Sequence, residues 1–397
     1  MRHCVTKVKL VHSDGRESLF LPRITRAFHA SGIQFAFLCL TTAMAVLIGI
    51  YFNVNWEFDA ATRAQQALSL AQRGPYWYFF QGFGQGYYVW LPLWQFLLAG
   101  MYLLTSINTA MLGTAVSATS LGFISLITVS ALKRAGFDGR RQVIGTTLLL
   151  TSGYLVAYAS QGMTDVFSTM LLLGTVYYLF LYLETHSARY LAFASLLTLL
   201  NVMTRYEAWL FLAITLLYAL YSFVGKRMSG RTMTNVVMYA VPSALFICTW
   251  LYYNKLESGS AFGFASWMAQ NISTDPPASV HNPLLTLAGL ARVLLLSNGA
   301  FWLALVDTRN RGKIVPTIKF AAVAFAVYSG YFLCSTYLGL SDGWVRFYLY
   351  FVPFSVLSFM SKNYRKDVFY LMLGISVILG LVGFAQNVQL HQIASSG

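Results

Sequence analysis

Charge is scarce in this sequence. Only 10% of its 397 residues are Asp, Glu, Lys or Arg, whereas 57% are hydrophobic and 16% aromatic, and the mean hydropathy is +0.59. A soluble globule of this length needs more polar side chains than that to cover its surface. The composition therefore excludes a soluble protein and predicts an all-α polytopic membrane protein.

Cysteine motifs, repeats and linkers are also missing. The four cysteines are scattered, with no pair at the spacing of zinc ligands. Without a linker, repeat or low-complexity tract, we expect one transmembrane domain over 32–386, preceded by a basic cytoplasmic segment, 1–31, and followed by a short outer tail, 387–397. No short apolar region with a cleavage site precedes the first span, so that span is expected to be retained.

The net charge of +14 raises the question of nucleic-acid binding. The basic residues lie in short clusters between apolar runs, however, which is the pattern that fixes the orientation of membrane proteins. We therefore expect no nucleic-acid partner.

Apolar runs of spanning length define the predicted helices. Eleven candidate spans lie near 32–53, 109–131, 142–160, 166–183, 190–204, 207–224, 235–253, 284–306, 318–337, 347–361 and 368–386. A further run, 87–105, contains Pro92 and a rim of Tyr and Trp, which fits an interfacial or re-entrant helix as well as a span.

The distribution of basic residues favours a non-crossing 87–105. In that topology 21 of the 27 Lys and Arg residues lie on one side and six on the other, in agreement with the positive-inside rule. The sequence therefore predicts a cytoplasmic N-terminus, an outer C-terminus, and two long outer loops, 54–108 and 254–283. Most of the acidic residues then lie on the outer side, periplasmic, extracellular or lumenal.

The first outer loop carries two acids directly after a span, Glu57 and Asp59. Asp59 precedes a run of good helix formers that ends at Gly74-Pro75, so we expect a short helix at the membrane surface. Asp59 has two interpretations. It could simply cap that helix, or a carboxylate held there could accept a proton from a substrate hydroxyl.

Several motifs in this order resemble those of the C-type (GT-C) membrane glycosyltransferases, the superfamily of protein O-mannosyltransferases and aminoarabinose transferases. Glu57-Phe58-Asp59 has the ExD form of their acidic first-loop motif. The segment YYVWLPLW is similar to their proline-containing element. Further along lie SQGMTDVF, with Asp165; MTRYEAWLF, with Arg205, Tyr206 and Glu207; and WVRFYLYFVPF, with Arg346 and Pro353. The resemblance extends from about residue 32 to residue 360.

The resemblance implies a GT-C fold and an inverting transfer of mannose, or of another hexose or pentose, from a polyprenyl-phosphate donor to a lipid, glycan or protein acceptor. Asp59 would be the general base, and Glu57 and Asp165 would orient it or contact the sugar. Arg346 would bind the phosphate. Arg205 is the second choice for that role; alternatively, Arg205 only forms an ion pair with Glu207. Tyr206 and Glu207 would join the substrate site.

Two features leave the chemistry open. Ala60 follows Asp59 where many relatives have a second acid, so a divalent ion such as Mg²⁺ or Mn²⁺, if one is used, would have Glu57, Asp59 and Asp165 as its ligands. No large soluble domain follows the spans, which leaves the acceptor unidentified. Arg292 lies well inside a predicted span, where it must face a polar cavity or extend to the membrane surface, and it is a further candidate for binding the substrate or its phosphate.

A lipid-linked sugar flippase or secondary transporter is the main alternative, in which the outer acids would gate a pathway. Transporters usually place ionisable groups near mid-membrane and contain two related halves, whereas these acids cluster at one rim and no duplicated half is evident. A purely structural membrane protein would leave the one-sided polar residues unexplained.

Overall fold

The computed structural model describes residues 36, 39–48, 58–80, 89–225, 229–274, 281–298, 315–338, 345–362 and 364–396. Within these ranges the regular structure is helical and contains no strand. In chain order the helices are α1 (Cys39–Ile48), α2 (Phe58–Phe80), α3 (Leu93–Thr105), α4 (Thr109–Arg134), α5 (Gly139–Leu149), α6 (Gly153–Ser160), α7 (Thr164–Thr185), α8 (Ala188–Val202), α9 (Glu207–Val224), α10 (Gly230–Ser258), α11 (Gly263–Thr274), α12 (Pro283–Asn298), α13 (Val315–Tyr337), the 3-10 helix Val345–Phe351, α14 (Val352–Met360) and α15 (Lys366–Ser396).

Six of the described helices are long and apolar enough to cross a membrane: α4, α7, α9, α10, and the main parts of α13 and α15. The bent pair α5 and α6 makes a seventh if it is counted as one span. These helices confirm the prediction of an all-α polytopic membrane protein. The number eleven stays a prediction, since the predicted spans 32–53 and 284–306 extend beyond the described residues.

Several apolar helices are shorter than the roughly 20 residues that a span needs. Helix α3 has 13 residues, which agrees with a non-crossing 87–105. The predicted span 190–204 corresponds to α8, which has 15 residues. The predicted span 347–361 corresponds to an apolar segment that begins as a 3-10 helix and continues as α14. Helix α15 continues to Ser396, through the segment predicted as an outer tail.

The predicted span 142–160 is broken in the structure. Helices α5 and α6 meet at an angle of 66°, and the amides of Leu150, Thr151 and Ser152 bond three residues back to close the turn between them. Helix α15 crosses at this break: a Cβ atom on Gly153 would collide with the carbonyl of Gly380, and one on Gly380 would collide with the carbonyl of Thr151. The close approach of two backbones explains both the break and the glycines.

The helix predicted after Asp59 is present. It forms α2, which is rich in Ala, Leu and Gln. Gly74 has a φ of 83°, so the first helical stretch ends there as predicted, but helical backbone resumes at Pro75 and continues to Phe80. Helix α2 packs against α3 and α4. The first amide of α3, that of Leu93, bonds to the carbonyl of Met203 at 3.0 Å and thereby links the first loop to the connection between α8 and α9.

Polar contacts between helices fix the end of the bundle where α4, α7 and α9 begin. The Ser117 hydroxyl on α4 donates to the carbonyl of Met163 at 2.7 Å, directly before α7. Ser168 on α7 bonds to the side chain of Asn201 near the end of α8. Such interhelical hydrogen bonds are typical of membrane bundles, where apolar contacts alone discriminate little between protein and lipid.

Aromatic packing holds the 3-10 helix against the bundle. Phe351 packs on Phe211 of α9 and on Tyr328 of α13, with ring centroids 5.5 and 5.4 Å apart. The 3-10 helix also contacts α7 and α12. Its Arg346 is therefore carried to the same end of the bundle as the first turns of α7 and α9.

Candidate active site

Charged residues from distant parts of the chain converge at this end. They are referred to below as the charge cluster, which consists of the carboxylates Asp59, Asp165 and Glu207 and the arginines Arg63, Arg205 and Arg346. They come from α2, α7, α9, the α8–α9 connection and the 3-10 helix. Buried ionisable groups are costly in a membrane protein and commonly mark a functional site.

Arg205 is the most fully paired member of the charge cluster. Its Nη2 lies 2.7 Å from Glu207 and 3.2 Å from Asp165, and its Nε donates to the second oxygen of Glu207 at 3.1 Å. Asp165 is fully buried. Burial opposes the charge of Arg205, but the two carboxylates outweigh it and raise the pKa of Arg205 well above its ordinary value. The pairing with Glu207 expected as the alternative role for Arg205 is thus present.

Asp59 and Arg346 form a direct ion pair across 287 positions of sequence. Their side chains keep 14% and 11% exposure, so this pair is partly open, as is Glu207 at 11%. Burial disfavours the ionised form of Asp59, yet the charges of Arg346, Arg63 and Arg205 outweigh it and hold the pKa of Asp59 below its ordinary value. Asp59 is therefore a carboxylate at neutral pH.

Arg63 was not singled out from the sequence, although it follows Asp59 by one helical turn and so lies on the same face of α2. Its guanidinium lies over the ring of Trp90, 4.0 Å from the centroid. One turn further, Gln66 accepts a hydrogen bond from the amide of Gln95 on α3 at 3.0 Å, and both are buried. The spacing of Asp59, Arg63 and Gln66, about one helical turn each, could have indicated a polar face of α2. Gln65 and Gln72 are also polar but lie off this spacing, which made the face hard to recognise in the sequence.

Tyr206 lies beside the charge cluster in an aromatic wall. Its ring stacks on Phe264 of α11 with centroids 3.9 Å apart, and its hydroxyl accepts from Nε1 of Trp250 at 3.0 Å. Burial raises the pKa of Tyr206 above its ordinary value, so the hydroxyl stays protonated. A flat aromatic wall next to charged groups suits a ligand with an apolar face and polar edges.

Two predicted site residues remain, Arg292 and Glu57. Arg292 is exposed on α12, and none of the interactions found for the described residues connects it to Asp59, Asp165 or Glu207. Glu57 lies outside the described residues. Asp59 lies in the first turn of α2, and the contact found for its carboxylate is the ion pair with Arg346.

Divalent-metal binding does not fit the described part of the charge cluster. No group of three or more His, Cys, Asp or Glu side chains there is arranged to hold a metal ion. Asp59 and Asp165 each face an arginine instead of a further carboxylate. The ligand set considered from the sequence also includes Glu57, which is not among these residues.

Comparison with known proteins gives matches to solved structures, ten chains in all. No protein-family model matches the sequence, and no curated protein matches it. The chain resembles the archaeal oligosaccharyltransferase AglB from Archaeoglobus fulgidus, solved in complex with an inhibitory peptide and a dolichol-phosphate. The TM-score is 0.48 at 12% sequence identity, and the match covers 91% of this chain and 56% of that one, so this chain spans about half the length of AglB. The similarity assigns no role to any residue.

Proposed function

We propose that this chain is a membrane glycosyltransferase that transfers a sugar from a polyprenyl-phosphate donor to a lipid, glycan or protein acceptor on the outer side of the membrane. The ion pair between Asp59 and Arg346 carries the proposal. It joins a candidate base to a candidate phosphate-binding cation, in a partly open part of a buried charge cluster. The sequence resemblance to C-type glycosyltransferases, including its ExD motif, supports the same assignment.

The reaction is a single displacement with inversion. The acceptor oxygen attacks the anomeric carbon as its proton passes to the carboxylate of Asp59. The bond between the anomeric carbon and the phosphate oxygen breaks, and the polyprenyl phosphate leaves with the electron pair. Negative charge grows on that leaving oxygen, so a cation beside it stabilises the transition state more than the ground state.

Arg346 is suited to stabilise the negative charge on the leaving phosphate oxygen. A guanidinium carries several N–H groups, so one nitrogen can bind Asp59 while others bind phosphate oxygens. Asp165 and Glu207 hold Arg205 in position and give the site a fixed, buried framework.

The direct test is to incubate the purified protein with a panel of radiolabelled polyprenyl-phosphate sugars and with lipid, glycan and peptide acceptors, in detergent and in liposomes. A transferase consumes one donor, releases polyprenyl phosphate and inverts the anomeric configuration of the product. Movement of intact donor across the liposome bilayer, with no chemical conversion of any donor, would instead support a flippase and contradict the proposal.

A further inference from the structure

Arg63 has hydrogen-bond donors that no described residue satisfies. Its side chain is 3% exposed, and stacking on Trp90 occupies the face of the guanidinium but leaves its edge, where the N–H groups point. Within the described part of the chain, Nε and Nη1 of Arg63 are both buried and have no hydrogen-bond partner. A buried cation in that state is costly unless an acceptor from outside the chain binds to it.

The other arginines of the charge cluster differ in this respect. Arg205 pairs with Asp165 and Glu207, and Arg346 pairs with Asp59. Arg63 takes part in none of the ion pairs found among the described residues. Repulsion from Arg205 and Arg346 and attraction from Asp59 and Asp165 all act on it, and that from Arg205 is the largest. Arg63 therefore has charged neighbours of both signs, but among the described residues no carboxylate is in direct contact with it.

Position and charge state agree with a ligand-binding role. Arg63 lies one turn from Asp59 on the same helix face, next to the partly open pair that Asp59 forms with Arg346. Burial, together with repulsion from Arg205, lowers the pKa of Arg63 to about 10. The guanidinium is therefore still a cation at neutral pH.

We propose that Arg63 binds an oxygen of the donor phosphate, as a substrate-binding residue additional to Arg346. The inference rests on the proposed function and names a residue for its donor site. A phosphate oxygen accepts charge-assisted hydrogen bonds and brings the negative charge that Arg63 lacks. A sugar hydroxyl would satisfy a donor but would leave the cation without a counter-charge. The stack on Trp90 fixes the guanidinium plane, which reduces the entropy lost on binding.

The test measures the affinity of three probes: a short-chain polyprenyl phosphate, the matching polyprenol and inorganic phosphate. Arg63→Gln should weaken polyprenyl-phosphate binding by about tenfold or more, the scale of a lost hydrogen bond to a charged group, and leave polyprenol binding unchanged. Arg63→Lys should fall between, because it keeps the charge but loses the planar stack and fork. Inorganic phosphate should compete with the lipid in the wild type and compete more weakly in Arg63→Gln, where Arg346 remains.

Arg73→Gln is the matched control. Arg73 lies on the same helix and also stacks on a tryptophan, Trp77, at 4.5 Å, but it is exposed. The Arg73→Gln variant should bind all three probes as the wild type does. The melting temperature of the ligand-free protein should not fall in Arg63→Gln, because the substitution removes a buried charge with open donors.

Three results would overturn the inference: wild-type affinity of Arg63→Gln for polyprenyl phosphate, an equal loss of polyprenol affinity, or a lowered melting temperature, which would make Arg63 a structural residue. Failure of the proposed function looks different. A wild-type protein that binds no polyprenyl phosphate would refute the donor class itself. If the wild type binds and transfers from the donor and Arg63→Gln binds the donor equally well, only the role of Arg63 is refuted.

Discussion

At the residue scale, Asp59 combines two opposing influences on its ionisation. Burial favours the neutral acid, and three arginines, led by Arg346, favour the carboxylate. Because the folded pKa is depressed, the stabilisation from this group is fully present above its ordinary pKa of 3.8 and is lost as the pH falls through the lower, folded value. Turnover limited by a carboxylate base should follow the same dependence.

This balance predicts how the pH profile responds to Arg346. In Arg346→Gln the burial remains while the strongest attraction is lost, so the pKa of Asp59 should rise and the acid limb of turnover should move to higher pH. Residual turnover measured against pH in both proteins checks this. Arg134→Gln, which removes a surface pair with Glu184 at the far end of α4 and α7, is the control and should leave the limb unchanged. An unmoved limb in Arg346→Gln would separate Asp59 from the proton transfer.

Some residues of the charge cluster could be predicted from the sequence as site residues, and one could not. Asp59, Asp165, Arg205, Glu207 and Arg346 stand in motifs, so their types and order pointed to one site. The pair between Arg205 and Glu207 was expected from the sequence. The pairs of Arg205 with Asp165 and of Arg346 with Asp59 were not, because they depend on how α2, α7 and the 3-10 helix pack. Arg63 has no motif of its own, and burial and open donors identify it only in three dimensions.

At the element scale, α2 was predictable because its start, composition and stop signal all agree. Its continuation past Gly74 was not, since Gly-Pro ends many helices outright and here only kinks one. The break between α5 and α6 was also missed. Thr151, Ser152 and Gly153 at the turn are flanked by apolar residues on both sides, so the run still had the length of a span, and the glycine contact that explains the break involves α15, far along the chain.

The kink in α2 gives a prediction about stability. Gly74 has φ 83° and ψ 168°, a conformation open almost only to glycine, so Gly74→Ala should destabilise the protein by about 1–3 kcal/mol. Thermal unfolding in detergent measures this. Gly100→Ala is the control, because Gly100 lies within helix α3 with no atom near its Cβ position, and it should be neutral or slightly stabilising. Equal stability of Gly74→Ala and wild type would show that the kink imposes no strain.

At the scale of the whole molecule, composition predicted the class of fold, and the charge bias predicted a topology that stays a prediction. Cysteine labelling tests it in a variant without native cysteines, since Cys39, Cys248 and Cys334 are exposed. An impermeant thiol reagent added from outside should label Ile107→Cys, before α4, and not Ser229→Cys, before α10; both positions are exposed. Ser160, although predicted to be on the outer side, is buried and would resist labelling on either side. The opposite labelling pattern would place the charge cluster on the cytoplasmic side.

The central claim is that Asp59 is the base of a sugar transfer, and the turnover of Asp59→Asn tests it most directly. The amide is nearly isosteric but cannot accept the acceptor proton, so turnover of the donor identified from the panel should fall by about a hundredfold or more while donor binding persists. Asp367→Asn, which changes an exposed carboxylate paired with Arg365, should retain wild-type turnover. Turnover of Asp59→Asn close to that of Asp367→Asn, in folded protein that binds donor, would contradict the account.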